Sequence, residues 1–105
     1  MIEYDVTYSS ESNKKPVKKS FKASDDEHMR IRVIADMRKQ KSTKAVVTRS
    51  YVDNLGLEWT DDWEKITYMH GMFWVKSLYF DKEPFYIADP KTGKLTSTKP
   101  VKKTR

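Results

Sequence analysis

The stretch from Ile2 to Ser9 restricts the fold more than any other. Ile2, Tyr4, Val6 and Tyr8 alternate with Glu3, Asp5, Thr7 and Ser9, and a period of two belongs to a strand with one face in a core and the other in water. A lone strand has no use for such a face, so a partner strand and a covering layer must follow. Val17, Phe21 and Ala23 supply the partner's inner face, interrupted by Lys19, while Lys18, Ser20 and Lys22 take the outer one. Paired as a hairpin, the two strands bring Glu3 and Asp5 onto one face with Lys18 and Lys22. Opposite charges across strands contribute about 0.2 to 1 kcal/mol.

The covering layer starts at Ser24. Ser24 followed three residues later by Glu27 is a capping-box pattern, and Asp25, Asp26 and Glu27 suit the positive end of a helix dipole. Met29, Val33, Ile34 and Met37 then fall on one arc, and Arg38, Lys39 and Lys41 gather where the dipole favours cations. A helix over about 25–40 is expected. Arg30 lies inside the apolar arc, and its stem is expected on the core edge with the head turned out to water.

KAVVTRSYV, from Lys44 to Val52, is short and β-branched and reads as a third strand. Two readings compete for the next segment. Thr60, Asp61 and Asp62 resemble a helix start, with Trp63, Ile66, Thr67 and His70 on one face and Gly71 closing it, which predicts a second short helix over about 61–70. The alternative is a hairpin of EKITYM and MFWVKSLYF joined through His70 and Gly71. MFWVKSLYF is itself a strand, apolar on both faces and expected to be central and covered on both. FYIAD, from Phe85 to Asp89, is another strand, and DPKTGK forms a tight turn into a short edge strand, KLTS. The fold class is therefore α+β: one domain over 1–96, mainly an antiparallel sheet, in the order ββαβ(α)ββ. A flexible basic tail is expected over 97–105.

Charge is laid out unevenly. The net charge is +6, yet Lys14, Lys15, Lys18, Lys19 and Lys22 face only Glu11 between residues 10 and 24, and residues 91–105 hold six cations and no acid. The remainder is net acidic. Six Tyr, four Phe and three Trp are enough to build a core, which a disordered chain lacks. Without cysteine there is no disulfide framework or thiol nucleophile. MIEYDV is acidic where a signal peptide is basic and then apolar, and the longest apolar run, Met72 to Val75, falls far short of the roughly 20 residues a spanning helix needs. A cytoplasmic protein with no membrane contact is expected.

Patterns for catalysis are sparse. Gly93-Lys94 near Thr96 suggests a phosphate loop, but Ala88 stands where that motif needs glycine and Leu95 where it needs a hydroxyl. His28 and His70 are the only histidines and have no metal-ligand spacing. Asp25-Asp26 and Asp61-Asp62 sit where helix starts want carboxylates. Neither an enzyme, a metal nor a cofactor is expected.

The lysines carry the functional expectation, a non-enzymatic nucleic-acid-binding accessory protein. Lys14 and Lys15 at the tip of the first hairpin, Lys91 and Lys94 at the tip of the last, and Lys99, Lys102, Lys103 and Arg105 in the tail are the expected phosphate contacts. Trp74, Lys76 and Phe80 share one face of MFWVKSLYF and are candidates for base stacking or docking. The alternative is a protein-interaction or inhibitor module that docks a partner protein through its aromatic, acidic body. Oligomeric state is left open.

Overall fold

A computed structural model describes residues 1–10, 15–80, 82 and 84–97. Lys14, Lys99, Lys102, Lys103 and Arg105 lie outside the described residues. The chain runs β1 (Ile2–Ser9), β2 (Val17–Ala23), α1 (Asp26–Gln40), β3 (Lys44–Val52), β4 (Glu58–Met69), β5 (Met72–Ser77), β6 (Tyr86–Ala88) and β7 (Leu95–Ser97). One antiparallel sheet holds all seven strands in the order β2-β1-β3-β4-β5-β6-β7. The α+β class and the leading ββαβ order hold.

The alternation in β1 resolves as the sequence implies. Tyr4, Val6 and Tyr8 are buried against the helix, and Glu3 and Asp5 are exposed. In β2 Glu3 stands opposite Lys22 as expected, whereas Lys18 stands opposite Thr7 and Asp5 accepts a hydrogen bond from Ser20. The helix contributes Met29, Val33, Ile34 and Met37 to the core. Each fully buried side chain of this size stabilises the fold by roughly 1.5 to 3 kcal/mol. Two buried tyrosines pin the helix to β1, since Tyr4 Oη donates to Asp26 at 2.6 Å and Tyr8 Oη to Asp36 at 2.9 Å. Burial and those carboxylate partners push both phenols far above their ordinary pKa.

Three expectations need correction. The helix cap is Asp25 rather than Ser24: its Oδ1 accepts from the His28 amide at 2.9 Å, and His28 Nδ1 lies 2.8 Å from the same oxygen. The second helix over 61–70 is absent, because those residues belong to β4 and the turn after it. A β-bulge explains the misreading. Glu64 pairs with Val47 and Asp62 with Thr48, so Trp63 is the extra residue, and it breaks the period of two at the point where Trp63, Ile66 and His70 imitate a helical one. His70 and Gly71, at φ 55° and 76°, form the two-residue turn to β5, since Met69 pairs with Met72. Positive φ at both centres is the requirement of a hairpin turn whose twist matches the strands.

The third correction is Arg30. Its head is not in water. The residue is buried with Glu64: Nε donates to the two carboxylate oxygens at 3.1 and 3.2 Å, Nη2 donates to Oε1, and Nη1 donates to the Gly93 carbonyl at 3.0 Å. Helix, β4 and the β6–β7 turn are thereby joined at one charged group. The same turn lies against the first turn of the helix, close enough that a Cβ on Gly93 would fall 2.0 Å from the Glu27 carbonyl oxygen. The sheet therefore curls around α1, with β1, β2 and the β6–β7 turn all reaching it.

Candidate functional site: an uncovered sheet face and an apolar hairpin

A single helix covers a single face. Phe73 and Val75 point to the helix and are buried, while Trp74 and Lys76 alternate to the convex side and are only half-buried. The expectation that β5 is covered on both faces is therefore corrected: among the described residues nothing packs over the convex side. Phe80 does not share that side. The strand ends at Ser77, whose Oγ accepts the Phe80 amide hydrogen at 2.8 Å. Alternation stops there, and Phe80 instead meets Tyr79 edge-on in a cleft shared with Trp63 and Arg30 on the helix side.

Register then shows which convex residues are neighbours. Thr7 stands opposite Lys18 on one side and Val46 on the other, Val46 opposite Lys65, and Lys65 opposite Lys76, so one row crosses five strands. The adjacent row runs Ser9, Lys44, Thr67, Trp74, Ile87 and Thr96. Neither row contains a carboxylate. Lys65 and Lys76 are directly opposed like charges, an arrangement that costs stability in a sheet. Lys18, Lys44 and Lys65 take part in no ion pair among the described residues. Trp74 is held in place by its indole, which donates to the Met69 carbonyl at 2.9 Å, and the Lys76 ammonium lies 5.9 Å from the Phe85 ring centre.

The next rows differ in sign. Ser20, Asp5, Thr48 and Asp62 lie across one, which is acidic, and Lys22, Glu3, Ser50 and Thr60 across another, in which Lys22 balances Glu3. Charge is thus divided along the strands, a division that strand order in sequence conceals. Of the tip lysines, Lys15 is exposed near the end of the first hairpin, whereas Lys91 and Lys94 are exposed on the turn that docks beside Glu27. Lys44 and Lys65 were missed, and only the pairing of β4 could have revealed them.

A second feature projects from the acidic end. Pairing of β1 with β3 ends at Ser50 and pairing of β5 with β4 ends at Glu64, leaving residues 51–59 as a two-stranded hairpin. Its tip exposes Val52, Leu55 and Leu57 by 61%, 83% and 54%, too much apolar surface to be explained by folding alone. The tip is nevertheless ordered. Asp53 Oδ2 accepts from the Trp59 indole at 2.7 Å and Oδ1 accepts from the Leu57 and Leu55 amides at 3.0 and 2.9 Å. These donors hold the Asp53 carboxyl below its ordinary pKa.

A pH prediction follows from the sign of that shift. With the folded value depressed, Asp53 contributes its full stabilisation above the unfolded pKa of about 3.9 and loses it as pH falls through the lower folded value. The Trp59 indole N–H resonance should therefore move with a midpoint below about 3.9 in an NMR titration. A midpoint at or above that value would show that the indole does not donate to Asp53.

A third arrangement sits by the helix N-terminus. The Arg49 guanidinium lies over the Trp63 ring at 4.2 Å and 3.8 Å from Asp26, and burial of the Glu64 carboxyl pushes its pKa up while Arg30 pulls it part of the way back. Asp26 and the Trp63 ring answer the Arg49 charge, but its Nε is buried without a hydrogen-bond partner among the described residues. Among the described residues no three His, Asp or Glu side chains converge as a metal set, and no helix is long and apolar enough to cross a membrane. No family model, curated protein or solved structure matches the chain.

Proposed function

We propose that the protein binds single-stranded nucleic acid across the convex face of its sheet. The observation that carries this reading is the pair of carboxylate-free rows holding Lys18, Lys44, Lys65 and Lys76 around Trp74. A strand of nucleic acid laid along these rows offers phosphates to the lysines and a base to the indole face. Phosphate contacts supply affinity without sequence information, and stacking on an aromatic ring tolerates any base. Lys15 lies at the same end of the first hairpin as Lys18 and extends the track. The acidic row of Asp5 and Asp62 bounds it on the other side.

Anisotropy titration of labelled single-stranded DNA and RNA at two salt concentrations tests this. Binding should weaken steeply with salt, and Lys18→Gln, Lys44→Gln and Lys65→Gln together should reduce the log–log slope by about 2, at about 0.7 per phosphate contact for single strands. Trp74→Ala should weaken binding by roughly 1 to 3 kcal/mol with the slope unchanged. Affinity indifferent to both variants, or no binding at low salt, overturns the proposal.

A further inference from the structure

The two ends of the molecule are complementary to each other. One end is the projecting hairpin, apolar at Val52, Leu55 and Leu57, and between Arg49 and Lys65 the chain holds five carboxylates and no cation. Four of them, Asp53, Glu58, Asp61 and Asp62, lie outside the buried pair with Arg30. The other end is the C-terminus of the helix, where Arg38, Lys39, Lys41 and Lys44 fall within seven residues that contain no acid. Beside them is a cleft of about 360 Å³ with apolar walls from Met37, Tyr68 and Phe73, and Arg38 and Lys41 also line it. The Arg38 guanidinium lies 5.4 Å from the Phe73 ring centre, which keeps it beside the cleft.

These ends cannot meet within one chain. β3 begins at Lys44 beside the cleft and ends at Val52 in the hairpin, eight residues later, a distance of roughly 27 Å at strand rise. The geometry points to a second copy of this chain as the occupant of the cleft: the acidic, leucine-bearing hairpin of one molecule enters the basic apolar cleft of the next. Such contacts are head-to-tail, so each molecule keeps one free hairpin and one free cleft and assembly continues beyond a dimer. The apolar tip supplies the area removed from water, and the opposed charges set direction and keep two hairpins or two clefts from pairing.

The test is sedimentation velocity on the full chain over a concentration series between about 1 μM and 1 mM. Sedimentation coefficients should rise with concentration and fall back when salt is raised. Leu55→Asp removes the hairpin anchor, and Arg38→Glu with Lys41→Glu reverses the cleft. All three positions are exposed, and circular dichroism confirms that each variant folds. Either variant alone should remain monomeric, its association weakened about tenfold or more. An equimolar mixture should form a one-to-one complex that grows no further, because one variant keeps its cleft and the other its hairpin. A wild-type chain that is monomeric throughout, association indifferent to the cleft charges, or a mixture that does not recombine overturns the inference.

Discussion

Glu64→Gln should lower the stability of the fold by about 3 to 5 kcal/mol, the range for breaking a buried ion pair from one side. The substitution keeps shape and removes charge, so what it measures is the state of Arg30. That residue is 8% exposed and has two partners, the Glu64 carboxylate and the Gly93 carbonyl. Once the carboxylate is gone, a guanidinium charge remains in the core with one neutral acceptor. It cannot escape by losing its proton, since arginine stays charged throughout the accessible pH range. Escape by rotation would pull it from the Gly93 carbonyl and loosen the β6–β7 turn.

Urea titration followed by tryptophan fluorescence reads the effect, with Glu64→Gln shifting the midpoint and leaving the slope unchanged. The companion experiment replaces both partners, Arg30→Met with Glu64→Leu. Desolvation of two ions is a large cost that their attraction offsets only in part, so the double variant should recover most of the lost stability. A single variant within about 0.5 kcal/mol of wild type would mean that Arg30 reaches water, as an arginine on the edge of a core does.

Arg30 also shows where sequence reasoning stops. Its position inside the apolar arc of the helix is visible from spacing alone, and so are Met29, Val33, Ile34 and Met37. That it points inward depends on Glu64, thirty-four residues away, and no local pattern encodes that partner. β1 and β2 were legible because both follow a simple period and lie next to each other. β4 was not, because the extra residue at Trp63 shifts the phase of its alternation midway. Misreading β4 as a helix then hides Lys65, since a helical segment offers no register to β3 or β5. Trp74 and Lys76 could be placed on one face from the alternation of β5, but whether that face is covered depends on how many helices exist. A chain with one helix cannot cover both sides of a seven-stranded sheet. The convex face was therefore within reach of the sequence only once the second helix was known to be absent.

The division of charge follows the same logic. In sequence, cations cluster near the first turn and at the end of the chain, which suggests basic appendages on an acidic body. In space, the antiparallel order folds Lys18, Lys44, Lys65 and Lys76 from four different strands into adjacent rows and sends Asp5, Asp62 and the opposed pair Glu3 and Lys22 to the other half of the same face. Helix α1 runs along the same axis with Asp26 and Glu27 at its start and Arg38 and Lys39 at its last turn. Capping preferences and strand register thus reinforce one polarity. Both the proposed nucleic-acid face and the proposed head-to-tail contact draw on it.

Gly93→Ala is expected to cost roughly 2 to 4 kcal/mol, combining left-handed backbone strain with a steric conflict. Gly93 has φ of 74°, and a Cβ there would lie 2.0 Å from the Glu27 carbonyl oxygen and 2.7 Å from its carbon. Backbone in the first turn of a helix cannot step aside as a flexible side chain would, so the β6–β7 turn must lift. Lifting it withdraws the Gly93 carbonyl from Arg30. Gly56→Ala is the control, since Gly56 has φ of 82° with nothing within 4 Å of the added carbon, and it should cost only the strain of about 1 kcal/mol or slightly more. The difference between the two, measured by denaturant unfolding, isolates the close approach. Because Gly93→Ala and Glu64→Gln both act on Arg30, their double variant should depart from additivity by about 0.5 kcal/mol or more. Equal costs at Gly93 and Gly56 would mean that the turn stands clear of the helix, and Lys91 and Lys94 would then project into solvent as a free hairpin tip.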